Sequence, residues 1–189
     1  PHVERTRDRP LAAGVIRPAE ALVLAALLML IAFGMVLLLA PLTIKLACIA
    51  AAIAVIYPYV KRVFPLPQAW LGIAFGFGIP MAYAELWHTL PRVAWLLLIA
   101  NVFWAIAYDT AYAMVDRDDD LRIGVKSSAI LFGRYDVAGV MAAHAVFIGL
   151  MAWIGWWQMR DILYFAGLAA AVVLVLYQYR LIRSRTREG

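Results

Sequence analysis

Charged residues are scarce in this sequence, and their scarcity excludes an ordinary water-soluble domain. Only 15% of the 189 residues are charged, whereas 66% are hydrophobic and the mean hydropathy is +0.83. Soluble chains carry about 25% charged and about 45–50% apolar residues, so the polar surface here is too small to cover a body that faces water. We therefore expect most of this chain to lie in lipid.

Cysteine is almost absent as well. Cys48 is the single one, so no intrachain disulfide can form. The sequence opens at Pro1 without a methionine, and because its first residues are rich in charge they do not resemble a signal peptide. We interpret the chain as a fragment, and we expect residues upstream of Pro1 to contribute to the site.

Long apolar runs are what the sequence does contain. A hydrocarbon core about 30 Å thick needs roughly 20 apolar residues per helix, and six runs approach that length. Lys45 and Lys61 flank the shortest run and can extend their ammonium groups to the membrane interface. The sequence therefore predicts an all-α transmembrane bundle with spans at Ala21–Ile44, Leu46–Val60, Val63–Ala84, Val93–Tyr108 with an extension to Val115, Val137–Met159 and Ile162–Tyr179.

The basic residues fall mainly on one side of these spans. Of the 17 Lys and Arg residues, all but Lys45, Arg92 and Arg160 lie on one set of alternate connections or in the terminal segments. The other connections are short and rich in Pro, Trp and His, and we expect them at Ala40-Pro41, Glu85 to Arg92 and Gln158 to Asp161. Cytoplasmic loops carry an excess of Lys and Arg, so this side is predicted to be cytoplasmic, with both ends of the chain. Topology accounts for the net charge of +5, and we expect no nucleic-acid partner.

Three glycines interrupt the third apolar run. Gly72, Gly76 and Gly78 precede Pro80, and small residues four apart allow helices in lipid to approach closely. Tight helix packing is the expectation for these glycines, and direct contact with a substrate is the alternative.

An acidic segment follows the fourth run. On a helix, Asp109, Tyr112, Asp116 and Asp120 share one face, since their intervals are three, four and four residues. A carboxylate inside the end of a membrane helix is costly unless it faces a polar cavity. Carboxylate oxygens without histidine or thiolate suit Mg²⁺. The Asp118–Asp119 pair points off this face, and we expect both side chains to be solvated.

Cationic side chains are predicted on the same side of the membrane. Tyr57 and Lys61 lie four apart at the end of the second run, and Arg5 and Arg9 are likewise four apart. Anchoring to the membrane surface is one interpretation of such pairs. Beside an acidic segment, however, they favour a diphosphate site, because protein-bound Mg²⁺ commonly bridges to substrate phosphates.

These segments resemble the UbiA membrane prenyltransferases. The resemblance covers the whole chain, and its most specific part is the long segment after the fourth run. It rests on Arg5-Thr6 with Arg9-Pro10-Leu11, on Tyr57-Pro58-Tyr59-Val60-Lys61-Arg62, on Tyr108-Asp109-Thr110 and Tyr112-Ala113-Met114-Val115-Asp116-Arg117-Asp118-Asp119-Asp120, and on Ile123-Gly124-Val125-Lys126-Ser127-Ser128-Ala129-Ile130-Leu131-Phe132-Gly133.

The resemblance implies a single, incomplete transmembrane domain over residues 1–189, with six of about nine spans. It also implies that the family's first aspartate motif lies upstream of Pro1. The implied reaction moves a polyprenyl group from an allylic diphosphate to the ring of 4-hydroxybenzoate in ubiquinone synthesis, at the cytoplasmic side of a bacterial inner membrane. The implied site comprises Asp116, Asp120, Lys61 and Tyr57 as catalytic residues, Arg5, Arg9, Lys61, Arg62 and Lys126 around the diphosphate, and Asp109, Asp116 and Asp120 around Mg²⁺.

Two alternatives stay open. A related prenyltransferase with another acceptor, such as a quinone or haem precursor, would carry the same motifs. An ion-coupled carrier would also contain an intramembrane acid such as Asp109 and helices interrupted by Gly and Pro. A carrier needs polar groups on both membrane faces, whereas the acids here are predicted on one.

Overall fold

The structure, a computed structural model, describes residues 8–185. Within that range the chain forms nine α-helices, and a short 3₁₀ turn at Gly133–Tyr135 joins the seventh to the eighth. The helices are α1 (Pro18–Val36), α2 (Pro41–Val63), α3 (Pro67–Gly76), α4 (Gly78–Trp87), α5 (Arg92–Val115), α6 (Arg117–Ile123), α7 (Ser128–Phe132), α8 (Asp136–Trp157) and α9 (Ile162–Ile182).

Six helical segments are long and apolar enough to cross a membrane, which confirms the predicted all-α bundle of six spans. The pair α3 and α4 makes one of them, as does α7 with α8. The predicted connection at Ala40-Pro41 is confirmed, although the predicted span limits at Ile44 and Leu46 differ from the helix ends. The uncharged run to Ile44 is divided, because α1 ends at Val36 and α2 begins at Pro41, whose missing N–H and fixed φ suit a first helical position.

The third span is broken at Phe77, between α3 and α4. Pro80 has no N–H to donate to the carbonyl of Gly76, four residues earlier, so the regular helical hydrogen bonding cannot continue through this point. The span therefore consists of two short helices rather than the single helix that the sequence predicts.

Helix α5 is the centre of the bundle and packs between α3 and α8. Its contact with α3 depends on glycine, since a Cβ at Gly72 would lie 2.7 Å from the Cα of Val102. A Cβ at Gly76 would also collide with α5, and the Asn101 amide donates to the carbonyl of Gly72 at 2.8 Å. Tight packing is thus confirmed for these two glycines, whereas a Cβ at Gly78 would meet nothing within 4 Å.

Helices α1 and α9 lie at the periphery. Neither helix contains a buried residue, although both are strongly apolar. Helices that are hydrophobic all round are suited to lipid or to burial against other apolar segments. A cluster of polar side chains lies where α2 and α5 end and α3 begins, on one side of the bundle.

Candidate active site

A small polar cavity lies at that side of the bundle. Its volume is about 80 Å³, and it is bounded by the end of α2, the start of α3, the end of α5, and the connection through α6 to α7. Its lining residues are Lys61, Gln68, Asp109, Tyr112, Ala113, Asp116, Asp120, Val125, Lys126 and Ser127.

The acidic side of the cavity is formed by the segment that the sequence singles out. Asp109, Asp116 and Asp120 all line it, together with Tyr112. The helix is not continuous, because α5 ends at Val115 and Asp116 lies in a bend before α6. The shared face survives this bend, since the N–H of Asp116 donates to the Tyr112 carbonyl at 3.4 Å and the N–H of Asp120 to the Asp116 carbonyl at 2.9 Å.

Burial and neighbouring charge act on Asp120. Desolvation raises the pKa of its carboxyl above the ordinary range, and the negative charge of Asp116 adds to this effect. The Lys61 ammonium lowers the same pKa, as does a hydrogen bond from Ser127. Asp120 is therefore a carboxylate whose ionised form is costly here and would be favoured by a cation.

The donor set fits a hard divalent cation. Within residues 8–185, no three carboxylate, imidazole or thiolate groups are close enough to form a complete metal site by themselves. Mg²⁺ commonly takes one or two protein carboxylates and completes its shell with waters and substrate phosphates. The oxygen donors of this cavity suit that mode, and the joint ligation of one ion by Asp109, Asp116 and Asp120 stays a prediction.

The cationic side of the cavity is formed by two lysines from distant parts of the chain. The Lys61 ammonium lies over the Tyr57 ring, 5.3 Å from its centroid, so the ring faces the ammonium without lining the cavity. Lys126 donates its Nζ hydrogen to the carbonyl of Val63 at 2.8 Å. Both lysines line the same cavity as the acids.

Two other predicted diphosphate residues, Arg9 and Arg62, are not brought to the cavity. Arg62 is exposed and is not among its lining residues. Arg9 is also exposed and away from the lining, and its carbonyl accepts from the N–H of Ala13 at 2.8 Å. Arg5 lies outside the described residues. Consecutive residues of a helix point about 100° apart around its axis, which explains why Lys61 reaches the cavity and Arg62 does not.

Two polar lining residues were not identified as candidates from the sequence. Gln68 is only 2% exposed, and its side-chain oxygen accepts from the N–H of Ser128 at 3.0 Å. Ser127 caps α7 by accepting from the N–H of Ile130 at 3.4 Å. The sequence signal that could have identified Gln68 is a polar amide side chain in the first turn of an apolar span.

The expectation for the Asp118–Asp119 pair is half wrong. Asp118 is exposed, as expected. Asp119 is only 8% exposed, and one of its oxygens lies 3.7 Å from the Arg122 guanidinium. The start of α6 at Arg117 turns this side chain inward and places Arg122 one helical turn away, where residues three apart are neighbours.

Comparison with known proteins supplies independent information. The sequence profile described as the UbiA prenyltransferase family matches residues 1–189. A 4-hydroxybenzoate octaprenyltransferase from Cupriavidus metallidurans is 60% identical over 186 residues, which are 98% of this chain and 63% of that protein. A 4-hydroxybenzoate octaprenyltransferase from Thiobacillus denitrificans is 58% identical over 187 residues, which are 98% of this chain and 63% of that protein.

A solved structure from the same family has a similar fold. The apo structure of a UbiA homolog from Aeropyrum pernix K1 matches with a TM-score of 0.84 at 28% sequence identity, covering 98% of this chain and 71% of that one. The chain thus spans 63% of the length of the two curated relatives named above.

Proposed function

The chain belongs to the UbiA prenyltransferase family, and on that premise we propose that the protein transfers a polyprenyl group from an allylic diphosphate to the ring of 4-hydroxybenzoate. The observation that carries the proposal is a single cavity lined by Asp109, Asp116 and Asp120 together with Lys61 and Lys126. A bound diphosphate needs carboxylates that hold a divalent cation and positively charged side chains that pair with its phosphate oxygens.

The acidic side would hold Mg²⁺ against the diphosphate. Asp116 and Asp120 are the carboxylates that we assign to the cation, with Asp109 in support. Asp109 sits within the apolar α5, where a carboxylate needs a polar partner. When bound, the cation would neutralise charge on the phosphate oxygens and so make the diphosphate a better leaving group.

The two lysines would stabilise the leaving diphosphate by pairing with its oxygens. As the bond between the allylic carbon and the diphosphate oxygen breaks, its electron pair stays on oxygen, and negative charge grows near the Lys61 and Lys126 ammonium groups. Lys61 is held over the Tyr57 ring and Lys126 is held by the Val63 carbonyl, so both ammonium groups are positioned before the reaction.

An aromatic row on α5 leads away from the cavity and is suited to an allylic chain. The Trp104 and Tyr108 ring centroids lie 4.7 Å apart, and those of Tyr108 and Tyr112 lie 6.5 Å apart. Tyr112 also lines the cavity. The negative faces of such rings favour the positive charge that develops on an allylic carbon as the diphosphate leaves. We propose that the first isoprene units lie along this row.

The acceptor ring would complete the reaction by attacking the allylic carbon. One carbon–carbon bond forms, the carbon–oxygen bond to the diphosphate breaks, and loss of the ring proton restores aromaticity. The names of the curated relatives motivate 4-hydroxybenzoate as the acceptor. Another aromatic acceptor is the alternative.

The position of the cavity supports a cytoplasmic site in a bacterial inner membrane. Lys61, Arg62 and Lys126 lie at the same end of the spans as the cavity, and basic residues are enriched on the cytoplasmic side of membrane proteins. A diphosphate would thus be bound at the interface while its polyprenyl tail stays in the bilayer.

The acceptor is tested by incubating membranes that contain the full-length protein with a labelled polyprenyl diphosphate, Mg²⁺ and one acceptor at a time. The proposal expects product with 4-hydroxybenzoate and none without Mg²⁺. Product with a naphthoate or a haem precursor instead would assign another acceptor to the same site. Diphosphate transport without product would favour a carrier and overturn the proposal.

A further inference from the structure

Arg117 stands in the middle of the acidic segment, yet it does not line the cavity. Its neighbours along the chain are Asp116 and Asp118, and α6 begins at Arg117 itself. The guanidinium is directed instead towards the start of α8. Its Nη1 lies 3.7 Å from Asp136 Oδ2 and 3.5 Å from the carbonyl oxygen of Gly133.

Asp136 is the first residue of α8 and is only 2% exposed. Its Oδ1 accepts from two atoms of Arg185, at 3.0 Å from Nε and 2.7 Å from Nη2, and from the N–H of Val137 at 2.7 Å. Its Oδ2 faces Arg117. One buried carboxylate therefore serves two guanidinium groups, and Arg117 is anchored outside its own segment.

The direction of Arg117 matters because of what it would otherwise contact. A guanidinium within a run of carboxylates forms strong, frequently bidentate pairs with them. Such a pair at Asp116 or Asp120 would place a fixed positive charge where a divalent cation has to bind. The attraction to Asp136 opposes this arrangement.

We propose that Asp136 is a positioning residue that holds Arg117 away from Asp116 and Asp120, so that its guanidinium does not compete with a divalent cation for these carboxylates. This inference rests on the proposed function, because it takes those two carboxylates as the metal-binding groups. Asp136 does not line the cavity, so its proposed influence on the metal site is exerted through Arg117, whereas its ion pair with Arg185 joins it to the segment after α9.

The test is Mn²⁺ binding to the full-length protein purified in detergent, measured from the electron paramagnetic resonance signal of free Mn²⁺. Asp136→Asn is expected to raise the Mn²⁺ dissociation constant about three- to tenfold, the size expected when one nearby cation is added at a partly screened site. The double variant Asp136→Asn with Arg117→Gln is expected to return to the wild-type value. A merely structural role for Asp136 would leave the double variant as weak as the single one, which would overturn the proposal.

Two further variants keep the test decisive if Asp136→Asn does not fold. Arg117→Gln alone is expected to bind Mn²⁺ as tightly as the wild type or more tightly, and weaker binding would overturn the proposal. Arg185→Gln removes the other ion pair of the same carboxylate and is expected to leave Mn²⁺ affinity unchanged. A wild-type protein that binds no Mn²⁺ would overturn the proposed metal site itself. An Mn²⁺ dissociation constant that is the same in the wild type and in all these variants would overturn only the role of Asp136.

Discussion

The backbone N–H of Lys126 donates to the carbonyl of Lys61 at 3.1 Å. This hydrogen bond joins the connection that follows the acidic segment to the C-terminal end of α2. The Lys126 ammonium strengthens the junction by donating to the carbonyl of Val63, two residues further on. Because the two lysines are joined through their backbones, both of them line the cavity that also contains the three carboxylates.

The first prediction concerns Lys61 and its neighbour in the chain. Lys61→Gln is expected to lower kcat/KM for the polyprenyl diphosphate by about 10²-fold, because it removes a positioned charge that stabilises the leaving group. Arg62→Gln changes the same net charge at an exposed position and is expected to stay within about twofold of the wild type. Steady-state kinetics at saturating acceptor measure both, and equal losses in the two variants would show that only the surface charge of this segment matters.

The second prediction concerns the effect of the Asp120 carboxylate on the thermal stability of the protein. The pKa of Asp120 is raised in the folded state, so the protonated form is favoured there, and the stability of the metal-free protein falls as pH rises from the unfolded pKa to the folded one. At neutral pH the ionised carboxylate is therefore destabilising. Asp120→Asn is expected to raise the Tm of the protein in EDTA by about 1–2 °C.

The same variant is expected to lose stabilisation by ligand. Adding Mg²⁺ and inorganic diphosphate should raise the Tm of the wild type and leave that of Asp120→Asn unchanged, because stabilisation by a ligand requires binding to the folded state. A variant that is less stable in EDTA, or equally stabilised by the ligands, would contradict this account of Asp120. Differential scanning fluorimetry in detergent measures both effects.

The third prediction tests the contact between α3 and α5. Gly72→Ala is expected to destabilise the fold by about 1–3 kcal/mol, because its Cβ would lie 2.7 Å from the backbone of Val102 in the packed core. Gly78→Ala is the matched control, since its Cβ would meet nothing within 4 Å. Thermal unfolding in detergent separates the two, and a similar Tm for both variants would mean that close backbone approach does not limit the stability of the bundle.

The spans could be predicted because lipid imposes a length and a polarity on each of them. The connection at Ala40-Pro41 was predicted correctly, whereas the span limits at Ile44 and Leu46 were wrong, because charge does not interrupt the run from Ala21 to Ile44. The break at Phe77 was also missed. The break arises because Pro80 has no N–H to donate a helical hydrogen bond, and hydropathy does not measure hydrogen bonding.

The candidate site was partly predictable for a similar reason. Asp109 stands out because an acid within an apolar span needs a polar surrounding. Gln68 was missed because its place at the cavity depends on Ser128, a residue 60 positions away, whose N–H it accepts at 3.0 Å. The direction of Arg117 likewise depends on Asp136, in a different helix. Contacts between distant segments are set by tertiary packing, and spacing along one helix does not contain them.

The most direct test of the proposed metal-assisted prenyl transfer compares two aspartates two positions apart in the full-length protein. Asp116 lines the cavity and Asp118 is exposed, so the same change to Asn at each removes one charge in two different surroundings. With labelled polyprenyl diphosphate, 4-hydroxybenzoate and Mg²⁺, the account predicts that Asp116→Asn lowers the rate of product formation about 100-fold or more and that Asp118→Asn stays within about twofold of the wild type. Undiminished transfer by Asp116→Asn, or an equal loss in both variants, would contradict it.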